Sequence, residues 1–280
     1  MAALRLQARH LEKVWGRSGL PPQFLDTDDP QATIGEVVFD HSDAADAPLL
    51  VKYLFTSERL SVQVHPDDAA AAQAGLRSGK DEAWVVIAAE PGAEIATGLL
   101  RPATADELRA AALDGSIVGL LDWQKVRAGD CLYSPAGTIH AIGAGVSAVE
   151  IQQNADVTYR LYDYGRPREL HLDEALAVAR RQPAKLRQVP EVLEPGRTLI
   201  AAGPKLRIEQ LDGAGAGTIP ASPETPVWLV PRGPGQLGGE PLAEGEVWQL
   251  DAPERLELPS GSSLLMASQA ALDTEDWRQS

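Results

Sequence analysis

Between residues 125 and 154 the chain reads KVRAGDCLYSPAGTIHAIGAGVSAVEIQQN: apolar runs of a few residues, each cut off by Ala-Gly-Asp, Pro-Ala-Gly or Gly-Ala-Gly. Such runs are too short for stable helices, and such closely spaced turns leave no room for the crossover helix that parallel strands require. They predict antiparallel strands closed into a barrel or a two-sheet jelly roll.

The same texture recurs on either side. Residues 47–65, APLLVKYLFTSERLSVQVH, read as two strands joined by a polar turn at Ser57–Arg59, and residues 81–99 as two strands around Pro91-Gly92. Residues 104–123 read as a helix, with Thr104 as N-cap and Glu107 completing a capping box. A second helix is expected over 172–182, and the prolines at 183, 190 and 195 mark 183–197 as a connector. Beyond it, KLRIEQL, PVWLVP, EVWQL, ERLELP and SSLLMAS are again short strands. That tail holds no histidine or cysteine, so the chemistry is expected in residues 1–182 and a structural or lid role in 198–280.

The 280 residues carry 25 basic against 40 acidic side chains, a formal charge of −15. This argues against a broad nucleic-acid surface, which needs a basic footprint. An anionic small molecule would need a local cluster of cations set against the global field. Cys131 is the single cysteine, which leaves no internal disulfide. Without a signal sequence or a long apolar run, the expected protein is cytoplasmic, with no membrane partner.

The residues that carry chemistry lie on alternate strand positions. In LSVQVHPDD (60–68), Ser61, Gln63 and His65 share the face opposite Val62 and Val64. A polar face of this kind lines a wet cavity, a metal site or a surface. GKDEAWVVI (79–87) places Lys80 and Glu82 two apart, the alternative being a solvated charge pair at a strand edge. SPAGTIHAIGAG (134–145) delivers His140 into a strand, and in EIQQNADVTYRLYDYGR (150–166) Glu150 and Gln152 oppose Val149 and Ile151, with Arg160 following. Gln63, His65, Glu82 and His140 together offer two imidazoles, a carboxylate and an amide oxygen, a mixed set suited to zinc or another divalent first-row ion. His10, His41 and His171 are expected at the surface or at caps.

These stretches, with EPGAEIATGL, KVWG (13–16) and IGEV (34–37), occur in an order and at a spacing that resembles the class I mannose-6-phosphate isomerases in their short bacterial form, from about residue 10 to 180. The resemblance implies a mainly β fold: a double-stranded β-helix (cupin or jelly-roll) domain over 1–182 with a small helical insertion, then a second, smaller β domain over 198–280. It implies one zinc ion per chain on Gln63, His65, Glu82 and His140, a phosphosugar substrate, and a pocket containing Lys80, Glu150 and Arg160, with Ser61 as a phosphate contact by position.

The implied reaction interconverts mannose 6-phosphate and fructose 6-phosphate through a cis-enediol. Glu150 leads as proton carrier with Lys80 as the alternative, Arg160 holds a substrate oxygen, and Lys80, Arg160 and Arg166 form the local basic cluster. The competing readings are an Fe(II)-dependent cupin oxygenase and a non-catalytic sugar-binding or regulatory cupin. A monomer or weak dimer is expected. The chain departs from the family at Val38 and Val85, where an aromatic is usual, with pocket shape as the expected casualty.

Overall fold

The computed structural model describes residues 3–25, 29, 31–40 and 47–272; His41 lies outside them. Among the described residues the strands form four sheets, and every strand pair is antiparallel. A five-stranded sheet runs in the order Tyr159–Tyr162, Val62–Val64, His140–Ile142, Glu94–Leu99, Leu121–Lys125. A six-stranded sheet runs Gln7–Arg17, Ile34–Asp40, Leu49–Phe55, Val146–Gln153, Glu82–Ala89, Cys131–Ser134.

Side-chain alternation stacks these sheets into layers. Val62, Val64, Ala96, Ala141 and Leu161 turn outward from the five-stranded sheet and pack on Leu108, Ala112, Ala175 and Leu176 of two helices. The opposite face of that sheet gives Ile95 and Ile142 to a core shared with Leu54, Trp84, Val86, Leu132 and Ala148 of the six-stranded sheet. The far face of the six-stranded sheet, with Val51, Tyr53, Val85 and Ile151, meets Ile208, Trp228, Val230 and Leu265 of a seven-stranded sheet built mostly from the tail. A four-stranded sheet closes the stack over Leu229, Leu250 and Met266. The tail therefore backs the six-stranded sheet and does not lie over the face that carries the candidate residues, so it is no lid.

Local differences from the sequence reading have physical causes. Thr104 does cap its helix, its hydroxyl accepting from Glu107 N at 3.1 Å, but the helix spans only Ala105–Asp114. Gly115, at φ +82°, takes the left-handed conformation that ends it. Residues 121–125 then leave helix for a strand pairing with Glu94–Leu99, burying Leu121. The later helix stops at Val178, because Arg180 N donates to Gly137 O at 2.7 Å instead of continuing the helical ladder.

The expected connector is not free. Pro183 bridges to Gly98, Arg187 to Leu132, and Glu191–Glu194 forms an edge strand of the seven-stranded sheet. At the other end, Ala3–Arg5 pairs with Trp248–Leu250, so the opening strand belongs to the tail's sheet. No helix among the described residues is long and apolar enough to cross a membrane.

Candidate metal centre and active site

The candidate residues converge between the five- and six-stranded sheets. Gln63 sits directly across from His140 on one neighbouring strand and from Arg160 on the other. In the six-stranded sheet Glu150 lies between Lys52 and Trp84, and Glu82 is opposite Gln152. One turn contact completes the arrangement. Pro66 O accepts from Lys80 N at 3.0 Å, which brings the residue after His65 beside the start of the Glu82 strand.

The tautomers of both imidazoles follow from their partners. His65 Nδ1 lies 2.8 Å from Val157 O and His140 Nδ1 2.9 Å from Thr138 O. A carbonyl can only accept, so each Nδ1 carries a proton, and in the neutral ring each Nε2 then presents a bare lone pair. Both lone pairs face Glu82 Oε1, at 3.2 Å from His65 and 2.9 Å from His140. Three acceptors aimed at one another, with all three residues buried, are repulsive unless a cation lies among them. His65 Nε2 and both Glu82 carboxylate oxygens make no hydrogen bond to a described residue, and one donor atom from each of His65, Glu82 and His140 lies within 4.8 Å of the others. The group can therefore hold a metal ion.

Gln63 lies against this group. Its Nε2 is placed 3.2 Å from His140 Nε2 and its Oε1 3.3 Å from Ser61 Oγ. The two amide orientations are interchangeable by rotation, and the other one turns the oxygen toward the cluster while the nitrogen donates to Ser61. Carbonyl O, two imidazole N and carboxylate O are donors that suit zinc.

Electrostatics favour metal-ready protonation states. Burial, reinforced by the charge of Lys80, pushes the His65 pKa down to about 4, so the ring is neutral at physiological pH. Burial alone would raise Glu82, but Lys80, then His65 and His140, hold it well below the ordinary carboxylate value. Burial alone would lower Lys80, yet Glu82 at 3.2 Å, followed by Glu150, raises it and keeps the ammonium charged. The Lys80–Glu82 pair is thus buried, not a solvated pair at a strand edge.

Gln63 and Lys80, which touch His140 and Glu82, also line a cleft of about 390 Å³ together with Ser61, Glu150 and Arg160. Glu150 does not pair with Arg160; its carboxylate accepts from Trp84 Nε1 at 3.0 Å and lies 3.4 Å from Lys52 Nζ. Arg160 donates through Nη1 to Glu169 O at 2.9 Å, while its buried Nε makes no hydrogen bond to a described residue.

The cleft also collects residues that sequence reasoning left out. Lys52 lies on its wall. It interrupts the apolar run LLVKYLF, and a lone cation inside a buried strand is itself a signal of a lined cavity. Lys13 and Glu36, inside the motifs KVWG and IGEV, pair at 3.4 Å beside it. His171, expected as a surface or capping residue, occupies the N-cap position of the helix Leu172–Val178, but its side chain makes no cap hydrogen bond. Its Nδ1 accepts from Arg160 N at 3.2 Å and its ring lines the cleft. His10 is half-buried on the edge strand, opposite Val37.

Two expectations are corrected. Arg166 is outside the cleft, tied to Glu58, Asp163 and Arg59 O, and Arg168 lines the cleft in its place. Val85 points into the core behind the six-stranded sheet and not into the pocket. Val38, paired with Lys52, does share the strand face of Glu36.

Comparison with known proteins decides the family. Over 213 residues the chain is 36% identical to the mannose-6-phosphate isomerase of Streptococcus mutans serotype c, an alignment covering 62% of this chain and 67% of that protein. The chain belongs to the mannose-6-phosphate isomerase family. It is also 45% identical over 138 residues to the mannose-6-phosphate isomerase ManA of Bacillus subtilis, spanning 47% of this chain and less than half, 44%, of that protein. The crystal structure of the mannose 6-phosphate isomerase from Bacillus subtilis superposes with a TM-score of 0.80 at 26% identity, over 95% of this chain and 99% of that one. No family model matches the chain.

Proposed function

We propose that this chain is a zinc-dependent aldose–ketose isomerase interconverting mannose 6-phosphate and fructose 6-phosphate through a cis-enediol. The observation that carries the reading is the convergence of the His65 and His140 Nε2 atoms on the Glu82 carboxylate, next to a cleft whose lining residues Gln63 and Lys80 touch His140 and Glu82. Gln63, His65, Glu82 and His140 would hold the zinc ion, which when bound supplies Lewis-acid stabilisation of negative charge on a substrate oxygen. In this reading the five- and six-stranded sheets are the two halves of a cupin jelly roll over residues 1–182, and the sheets of 198–280 are its support.

The chain's own residues divide the remaining work. Isomerisation moves a proton between C2 and C1 on one face of the enediol, and Glu150 is the group assigned to take and return it. Lys80 is a poorer base, because Glu82 and Glu150 keep it protonated. It serves instead as a fixed positive charge beside the floor of the cleft. Arg160, permanently charged and with a buried Nε left without a partner, is placed to hold a substrate oxygen by charge-assisted hydrogen bonds. Ser61 is the candidate phosphate contact. Lys13, Lys52, Lys80, Arg160 and Arg168 line the cleft among the carboxylates Glu36, Glu150, Asp156 and Glu169, and supply the local cations that a phosphorylated sugar needs on a chain of charge −15.

The test is a coupled assay with mannose 6-phosphate before chelation, after it, and after zinc is restored. Activity lost on chelation and recovered with zinc is the expected result. A zinc-loaded protein without turnover would refute the isomerase reading, and activity restored only by ferrous iron would refute zinc.

A further inference from the structure

The turn Pro135–Thr138 contacts His65, His140 and the residue next to Glu82 in three successive residues. Ala136 N donates to Asp81 Oδ1 at 2.9 Å, and Asp81 is bonded in sequence to Glu82. Gly137 N donates to His65 O at 2.8 Å. Thr138 O accepts from His140 Nδ1 at 2.9 Å. One short piece of backbone therefore touches the neighbour of the carboxylate residue, the first histidine and the second.

We propose that Asp81 is the positioning residue of the metal centre: by anchoring this turn it sets Glu82, His65 and His140 at mutual distances that bind zinc. The proposal rests on the zinc reading above. Asp81 has the connections this task requires. Its other carboxylate oxygen accepts from Tyr133 Oη at 2.6 Å. Its backbone is held on both sides by Gln153, with Asp81 N donating to Gln153 Oε1 and Gln153 N to Asp81 O, each at 2.9 Å. The side chain is buried, 5% exposed, so these partners are not exchanged for water. Tyr133 is in turn gripped from behind by the tail: a Cβ on Gly203 would sit 1.9 Å from its ring, and Lys205 N donates to its hydroxyl at 3.4 Å. A carboxylate locked to two donors from separate elements, one residue from a metal ligand, fixes geometry that the ligands alone do not determine.

The decisive experiment compares zinc affinity by chelator competition in folded wild-type, Asp81→Ala and Asp81→Asn protein, with the melting temperature recorded in parallel. Asp81→Ala is expected to weaken zinc binding by about tenfold or more. Asp81→Asn, whose amide oxygen still accepts from Ala136 N, is expected to recover most of that loss. If Asp81→Ala does not fold, Tyr133→Phe removes one donor and is expected to weaken zinc binding by roughly threefold or more. A variant with a lowered melting temperature but zinc affinity within about twofold of wild type overturns the positioning role and leaves the zinc reading standing. A wild-type protein that binds no zinc overturns both.

Discussion

Arg160 and His65 show how much a single side chain does in this cleft. Arg160 lines the wall but touches none of the proposed ligands through its guanidinium. Arg160→Ala should therefore lower kcat/KM by roughly 10- to 100-fold, the cost of a lost charge-assisted hydrogen bond, while zinc content stays at the wild-type value. Parallel loss of both, measured by assay and metal analysis, would contradict the division of roles.

His65 makes a pH prediction. Its pKa is about 4 in the folded chain and about 6.5 in an unfolded one, so the unfolded state takes up a proton that the folded state refuses. The resulting contribution to stability is full above about pH 6.5 and is lost as pH falls toward 4. Urea midpoints of chelator-treated protein at pH 7.5 and pH 5 should fall further for wild type than for His65→Gln. Equal falls would show that His65 is not the group responsible.

Among the local elements, the excursion between His65 and Lys80 is tightly constrained. It leaves the five-stranded sheet, makes the helix Asp68–Gln73 under an Asp67 cap, and returns within hydrogen-bond distance of its start. Its return passes through Gly79, where a Cβ would meet Asp67 C at 2.5 Å, Asp68 N at 2.6 Å and Pro66 O at 2.7 Å. All three are backbone atoms that cannot swing aside. Gly79→Ala should thus cost about 1–3 kcal/mol and weaken metal binding by prising Pro66 from Lys80. A folded variant with unchanged melting temperature and zinc affinity would mean that the loop opens at no cost.

Much of this was legible beforehand for a physical reason. Strand alternation is written in the sequence, so Gln63 and His65, or Lys80 and Glu82, could be paired on a face without coordinates. Turn chemistry marked Pro91-Gly92 and the Thr104 cap. What alternation does not encode is which sheet a face will meet. Lys52 and His171 became cleft residues only once two sheets were stacked and the last helix was placed. Arg166 and Arg168 are two apart on one segment, and its local conformation decides which lines the cleft. The end of the first helix at Gly115 was visible as Asp-Gly, but the strand after it exists because Glu94–Leu99 offers a free edge.

The whole molecule is a stack in which each inner layer is shared. The six-stranded sheet gives one face to the cleft and its small core, and the other to Trp228, Val230 and Leu265 of the tail's sheet. The two halves share this core, since removing the tail would bare Val51, Tyr53 and Ile151 together. Calorimetry should accordingly show one cooperative transition, with calorimetric and van't Hoff enthalpies equal. Two resolved transitions would show that the shared core does not couple the halves.

The pairing of Ala3–Arg5 with Trp248–Leu250 carries a consequence for biosynthesis. A nascent chain emerges from its first residues onward, and this strand must wait, unpaired, until almost all of the described chain has been made. Its partner edge does not exist before then. Contacts between such distant segments are the slowest to form, because the intervening loop must close before they repay it. The seven-stranded sheet is therefore completed last, after the layers that carry the cleft have had time to assemble.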